Sequence, residues 1–302
     1  DATDFHILQD SSRGTGKEIF ANDDADEETY STSITSWNTD GFVLGSREPI
    51  NANSETYVSW NWKANGGTTS SNTDGTITST VQASTEAGFS IVLYASGASG
   101  DKTVGHGLTS KPEVIITKSR DASSSYNWSI FHEDVASTVN KYLIFDTDAL
   151  SDNGSPIWGS AFPTSTVFGI RSGNGVNAST NCIAYCFHSV EGYSKFGTYT
   201  GNGSTDGTFI YLGFRPAWFL LKRTDTTGNW LLYDNKRDPD NRVAQGLFPN
   251  LTSAETEQTG GFVDFVSSGV KLKEDGSAMN ASGGTFVYFA FAEQPFKFSN
   301  GR

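Results

Sequence analysis

Carboxylates and histidines are the first side chains of this chain that could do chemistry. The acidic run at residues 23–28 (DDADEE) offers the hard oxygen ligands that Ca²⁺ prefers, but it lacks the glycine and the spaced terminal glutamate of a calcium loop. The four histidines show no spacing typical of metal ligands; they are His6, His106, His132 and His188. The sequence therefore predicts a solvated acidic loop, no metal site and no cofactor.

Two carboxylate–arginine pairs recur at the same spacing, Asp10 with Arg13 and Asp234 with Arg237. Such a pair is either an active-site acid with a neighbouring cation or a short-range pair that fixes a turn. We favour the turn, because a third equivalent stretch has His132 at the acid's position. No motif of a serine, cysteine or phosphate-binding enzyme occurs, so we predict no catalytic residue. A glycosidase carboxylate pair stays open, since it is defined by spacing in three dimensions.

Tryptophan is the residue type that most suggests sugar binding. Most of the seven tryptophans alternate with polar residues, as the core residues of strands do. Trp158 differs, because it lies in a loop at residues 155–159 (SPIWG). We therefore predict that Trp158 is exposed and is the one possible ligand contact.

Charge and hydropathy exclude two classes of partner. Lys and Arg total 21 against 34 Asp and Glu, and the net charge of −13 disfavours nucleic acid, because binding to phosphates requires cations. The longest apolar run, residues 286–292, is far shorter than the roughly 20 residues of a membrane helix. Cys182 and Cys186 lie four apart in a predicted strand, roughly 13 Å between Cα atoms, so we expect no disulfide between them.

Internal repeats set the predicted domain organisation. Residues 88–94 recur at 192–198, and residues 111–118 recur at 215–222 with the same offset. A closing strand occurs three times, at residues 58–62, 183–187 and 287–291, but only two openings are visible. We predict a partial first repeat at 1–62, a linker at 63–73, and full repeats at 74–190 and 191–302. The missing opening suggests a piece of a longer polypeptide.

Alternation of apolar and polar residues predicts an all-β chain of tandem antiparallel β-sandwich units, jelly-roll-like, with at most a short helix at 249–257. Val58, Trp60 and Trp62 face one way in the first closing strand. The opposite face of the closing strand carries polar residues in the first copy but Phe286 and Tyr288 in the third. A strand that is apolar on both faces must be covered, by another sheet or by another subunit. We therefore expect a homo-oligomer, with a trimer favoured, unless intrachain packing covers this face.

Several phrases of the sequence resemble repeat domains in virion proteins of tailed bacteriophages, especially those of marine bacteria. The resemblance covers nearly the whole chain and rests on residues 57–64 (YVSWNWKA), 88–92 (GFSIV), 104–108 (VGHGL), 192–203 (GYSKFGTYTGNG), 213–218 (GFRPAW) and 290–297 (AFAEQPFK). In that family the domain usually follows a concanavalin-like jelly roll within long tail-fibre or appendage proteins. The resemblance supplies no catalytic or ligand residue.

The resemblance implies a location on the virion, and the repeats imply a spacer, because stacked units build length whereas an enzyme needs one site. We expect a non-enzymatic tail-fibre or appendage component that presents a host-adhesion surface. Its expected partners are other virion proteins and a host cell-surface glycan or protein. The alternatives are a carbohydrate-binding module or lectin outside a virion, and a polysaccharide-degrading enzyme.

Overall fold

The computed structural model describes residues 4–121, 126–149, 156–173, 175–178, 181–257 and 261–294. Strands that pair in antiparallel ladders form almost all of the regular structure, so the prediction of an all-β fold built from β-sandwich units is confirmed. Within the described ranges, no helix has the length and apolar character needed to cross a membrane.

The first unit contains only short elements. They are β1 Ile7–Leu8, β2 Lys17–Phe20, β3 Glu28–Thr29, β4 Ile34–Trp37, β5 Phe42–Leu44 and the helix α1 Glu48–Asn51. Strands β1, β2 and β3 form one small sheet in that order, and β4 pairs with β5. The predicted closing strand at 58–62 is wrong as a strand, because residues 55–64 join no ladder.

The second unit is a complete sandwich. Its strands are β6 Ser70–Asn72, β7 Ser79–Ser84, β8 Phe89–Ala95, β9 Gly100–Gly105, β10 Val114–Ser119, β11 Ser129–His132, β12 Leu143–Ile144, β13 Val167–Ser172 and β14 Asn181–Phe187, with a 3-10 helix at Gly175–Asn177. The inner sheet has the order β12-β11-β10-β14-β8-β7-β6, and β13 pairs with β9 in the outer sheet. Residues 63–73, predicted to be a linker, thus contribute β6 to this sheet.

The third unit repeats this plan. Its strands are β15 Ser194–Thr200, β16 Phe209–Tyr211, β17 Pro216–Arg223, β18 Leu231–Asp234, β19 Gln245–Gly246, β20 Thr256–Glu257, β21 Val263–Val266, β22 Gly269–Leu272 and β23 Thr285–Ala292. The inner sheet has the order β15-β23-β17-β18, and the outer sheet has the order β16-β22-β21. The predicted helix at 249–257 is wrong, since this stretch is a turn followed by β20.

The strand order shows that the two complete units are equivalent. The order β8-β14-β10-β11 in the second unit matches β15-β23-β17-β18 in the third. One alignment needs correction. Phe187 of β14 pairs with Phe89 of β8, whereas the equivalent Phe291 of β23 pairs with Ser194 of β15. The offset from β8 to β15 is therefore one residue larger than the repeated phrases indicated. The shift matters, because one residue turns every side chain to the other face of a sheet.

Three hydrophobic cores hold the molecule together. One outer core lies inside the second unit and another inside the third, between the inner and outer sheets of each. The central core is shared by all three units. It includes Ile19 and Ala21 from the first, Ile183 and Tyr185 from the second, and Val287, Phe289 and Phe291 from the third.

Both faces of each inner sheet are therefore covered within one chain. Phe286 and Tyr288, the residues that suggested a subunit interface, are buried together with Ala290 in the outer core of the third unit. Intrachain packing thus accounts for the apolar second face of β23. The expectation of a homo-oligomeric trimer loses the observation on which it rested.

Candidate functional site

Trp158 is not at the surface. Its side chain is 2% exposed, and its ring packs against Phe131 with centroids 5.9 Å apart. The preceding carbonyl of Ile157 accepts hydrogen bonds from the Asn177 side chain at 3.0 Å and from the backbone N–H of Arg171 at 2.8 Å. These bonds hold the loop against β13. The prediction that Trp158 is exposed is therefore wrong, and a ligand contact at Trp158 loses the observation on which it rested.

The acidic run at 23–28 takes part in the contact between the first and second units. Arg120 and Arg13 donate to the Glu27 carboxylate at 2.8 and 3.2 Å. Burial alone would raise the pKa of Glu27, but the hydrogen bonds and charges of Arg120 and Arg13 outweigh it and lower that pKa. Among the described residues, no group of three or more His, Cys, Asp or Glu is arranged to hold a metal.

The two carboxylate–arginine pairs fix turns, as predicted. Arg13 Nε lies 2.5 Å from the Asp10 carboxylate, and Arg237 Nε lies 2.6 Å from the Asp234 carboxylate. Both side chains of each pair are largely buried. Each arginine also donates its backbone N–H to its acid. The equivalent His132 packs edge-on against the ring of Phe289, and burial lowers the pKa of His132 to about 4. The position is thus structural in all three units.

An exposed aromatic pair on the outer sheet of the third unit is the best candidate for binding. Phe209 and Tyr211 are 46% and 62% exposed, whereas Ile210 between them is 4% exposed. Strand alternation directs the two rings to solvent and Ile210 into the outer core. We call the outward side of this sheet the aromatic face.

Charged side chains flank the aromatic face. Lys271 on β22 pairs with Phe209 in the ladder, and Asp264 on β21 pairs with Lys271, so the three side chains share one side of the sheet. At the other end, Lys195 lies 5.2 Å from the centre of the Tyr211 ring and donates to the Tyr211 carbonyl at 2.8 Å. The face therefore combines flat apolar rings with hydrogen-bonding groups.

The second unit has no such pair at the equivalent strand. Val104 on β9 corresponds to Ile210 on β16, because both are buried and each is followed three residues later by a glycine with positive φ. These glycines are Gly107, with φ of +74°, and Gly213, with φ of +88°. The residues on either side of Val104 are Thr103 and Gly105. Of the two complete units, the third therefore has aromatic rings at this outward position and the second does not. Sequence analysis missed them because three successive apolar residues suggest a buried strand; the copy-to-copy difference is the signal that would have found them.

A small pocket on the second unit is a weaker candidate. Its volume is about 110 Å³, well below the roughly 300 to 1,000 Å³ of small-molecule sites. It is lined by Thr76, Asp101, Lys102, Thr103, Ser160, Ala161 and Gly169. A pocket of this size and shape does not enclose a substrate.

Comparison with known families identifies the chain at the level of its domain. A family described as a domain of unknown function (DUF7483) matches residues 1–295, so the chain belongs to that family. No curated protein and no solved structure shows a significant match.

Proposed function

We propose that this member of the DUF7483 family is a non-enzymatic component of a bacteriophage tail fibre or similar virion appendage that attaches to saccharides on the host surface. The proposal combines two supports. The repeated phrases resemble those of phage virion proteins, and the third unit carries the aromatic face. The exposed pair of Phe209 and Tyr211 is the observation that carries the binding part of the proposal.

The chemistry of the aromatic face suits a sugar. The C–H side of a pyranose ring is apolar and stacks on a flat aromatic ring, while its hydroxyls need hydrogen-bond partners. Phe209 and Tyr211 offer the rings, and Lys271 and Asp264 lie beside them as polar neighbours, with the Lys271 ammonium also paired to Asp206 at 2.7 Å. Large exposed apolar side chains in a cluster usually mark an interaction site.

The packing of the units suits a part that presents a surface. The central core joins all three units, and two fully buried tryptophans, Trp128 and Trp230, anchor the contacts between them. Large apolar interfaces of this kind hold neighbouring units in one arrangement. The aromatic face is therefore carried on a rigid body.

A lectin outside a virion would use the same face, so the setting needs its own test. Gold-labelled antibody against this chain should decorate purified phage particles in electron micrographs. Particles without label, together with label on another structure, would place the same binding activity outside a virion.

Binding itself is tested on a glycan array with the double variant Phe209→Ser, Tyr211→Ser. We expect the native chain to bind a restricted set of host-surface glycans and the double variant to lose at least tenfold in affinity. The matched control is Phe162→Ser, because Phe162 is 47% exposed but lies on the second unit. A native chain that binds no glycan, or a double variant that binds as well as the control, would contradict the proposal. Release of reducing ends would instead indicate a polysaccharide-degrading enzyme.

A further inference from the structure

A carboxyl group without a partner lies at one end of the third unit. Glu274 follows β22 and is 7% exposed, and its Oε1 atom is buried without a hydrogen-bond partner among the described residues. Its Oε2 atom lies over the backbone of Gly276, where an added Cβ atom would be only 2.9 Å away. An ionised carboxylate is much costlier to bury than a neutral acid unless a cation pairs with it.

The lysines next to Glu274 in the sequence do not supply that cation. Leu272 is buried in the outer core, whereas Lys271 and Lys273 on either side of it are half-buried, as strand alternation requires. Glu274 lies two residues after Leu272 and so continues its inward side. Lys271 pairs instead with Asp206 at 2.7 Å. Within the part of the chain that the structure describes, Glu274 forms no salt bridge.

The groups that face Glu274 from the inner sheet are tyrosines. Burial raises the pKa of Tyr199 on β15 and of Tyr233 on β18, and the negative charge of Glu274 adds to that effect at both. Their hydroxyls donate elsewhere, to the carbonyls of Met279 at 2.7 Å and Gly261 at 2.8 Å. The inner sheet therefore surrounds the carboxyl group without neutralising it.

The remaining nearby charges do not favour ionisation either. Burial, with a smaller contribution from the negative charge of the exposed Asp275, raises the pKa of Glu274 to about 7. Arg237, whose charge reaches one of the two tyrosines, is already paired with Asp234 and Glu255. The folded third unit thus favours the neutral acid.

The second unit closes the same position with a hydroxyl. The buried residues that correspond in β9 and β16 pair with Phe168 and Val270 in the outer sheets. Four residues after these lie Ser172 and Glu274. Ser172 is buried and donates its hydroxyl to the carbonyl of Ser96. A group that does not titrate near neutral pH in one unit therefore corresponds to a carboxyl group in the other.

One buried asparagine ties Glu274 to a neighbouring segment. The side-chain amide of Asn280 donates to the Glu274 carbonyl at 2.6 Å, to the Asn202 side chain at 2.8 Å and to the Ser204 carbonyl at 2.9 Å. Asn280 itself is 0% exposed. The segments that contain these residues are therefore held together directly beside the carboxyl group.

The same segments reach the aromatic face. We call residues 202–208 and 274–280 the end segments. Lys271 of the aromatic face donates to the Gly207 carbonyl at 2.5 Å and pairs with Asp206, and both partners lie in the first end segment. A change in the end segments would therefore change the partners of a lysine beside the exposed rings.

We propose that Glu274 is a proton-dependent latch of the third unit: as a neutral acid it closes the end of the outer core, and when its proton is lost to solvent the end segments separate and water reaches the carboxylate. The pKa of this group is higher in the folded state than its ordinary value of about 4.5. The stabilisation is therefore complete below about pH 4.5 and is lost as the pH rises through about 7. An effect of the latch on glycan binding rests on the proposed function, whereas the latch itself does not.

Amide hydrogen exchange at pH 5.5 and 8.5, corrected for the intrinsic rates, measures the latch in the full chain. We expect protection of the end segments to fall about tenfold or more between these pH values in the native chain. Glu274→Gln keeps the size of the side chain and removes the titration, so its protection should not fall. The matched control is Asp275→Asn, which removes the exposed neighbouring acid and should retain the fall. Unchanged protection in the native chain, or the same fall in Glu274→Gln, would overturn the proposal.

A second measurement needs no variant and covers the case in which Glu274→Gln does not fold. The side-chain carboxyl carbon of Glu274 is titrated by ¹³C NMR in the native chain. We expect a midpoint near pH 7, and a midpoint near 4.5 would overturn the proposal. Because neither measurement uses a glycan, a failure of glycan binding would contradict the proposed function alone.

Discussion

The first and second units contain closing segments with the same alternation but different structures. Ile183, Tyr185 and Phe187 lie in β14 with a paired strand on each side, whereas Val58, Trp60 and Trp62 are half-buried in a segment without a ladder. The difference lies in the neighbours, since the first unit has no counterpart of β8 or β10 among the described residues. An alternating sequence specifies which side chains turn inward, but paired strands must supply the hydrogen bonds.

The largest expected effect contrasts an anchoring tryptophan with a half-buried one. Trp230 is 0% exposed, contacts the rings of Phe145 and Phe289, and bonds to the second unit. Trp230→Ala should lower the free energy of unfolding by about 3–5 kcal/mol. Trp60→Ala should cost about 1 kcal/mol, because less surface is buried there. Urea unfolding measures both. Equal losses would mean that the first unit is packed as tightly as the third.

A smaller effect is expected for the buried lysines. Lys222→Met removes the donor to the Gly228 carbonyl and one of the two donors to the Asp148 carbonyl, which should cost about 2 kcal/mol of unfolding free energy. Lys118→Met should behave alike, because Lys118 donates to the carbonyls of Asp24 and Tyr126. The matched control is Lys195→Met at the aromatic face, where the side chain is partly exposed. If the buried variants unfold at the same urea concentration as the control, the lysines do not hold the units together.

Asp146 should give a pH-dependent effect. Burial raises the pKa of Asp146 to about 6, although the backbone N–H of Trp128 partly offsets it. The folded state thus favours the neutral acid, and stability from this group is complete below about pH 4 and lost as pH rises through 6. Asp146→Asn, which copies Asn250, should raise the free energy of unfolding by about 1–2 kcal/mol at pH 7 and by little at pH 3.5.

The reverse exchange is the control for Asp146. Asn250→Asp should destabilise the third unit at pH 7 and introduce the same loss of stability with rising pH. Thermal unfolding at pH 3.5, 5 and 7 measures both variants. A gain for Asp146→Asn that is the same at all three pH values would contradict a titrating Asp146.

The smallest expected effect on stability is at the aromatic face. Phe209→Ser and Tyr211→Ser should each change the free energy of unfolding by no more than about 0.5 kcal/mol, because both rings project into solvent. Glycan binding should nevertheless fall. A large loss of stability in either variant would show that the rings support the fold instead of a ligand.

The sequence predicted much of this fold, because repetition and alternation act locally. The closing strands at 183–187 and 287–291 lie in equivalent places, and the Asp10–Arg13 and Asp234–Arg237 pairs fix turns. Burial across units was harder to predict. Trp158 lies in a loop that folds onto its own sandwich, and the one-residue shift in β15 depends on its ladder with β23.

The candidate site was the least predictable part. Phe209 and Tyr211 flank Ile210 in a short apolar run that is typical of a core strand, and only the face of the outer sheet decides which rings are exposed. The surroundings of the first closing segment were equally hidden. They depend on the contact of Trp62 with Phe291, more than 100 positions away, which alternation within one segment does not specify.

Amide hydrogen exchange at the three closing segments tests the central claim most directly. The account predicts that amides at residues 183–187 and 287–291 exchange slowly, because both segments are paired on two sides. Amides at 58–62 should exchange about a thousandfold faster or more in the same sample, since no ladder protects them. Equal protection of all three segments would contradict an unpaired closing segment at residues 58–62.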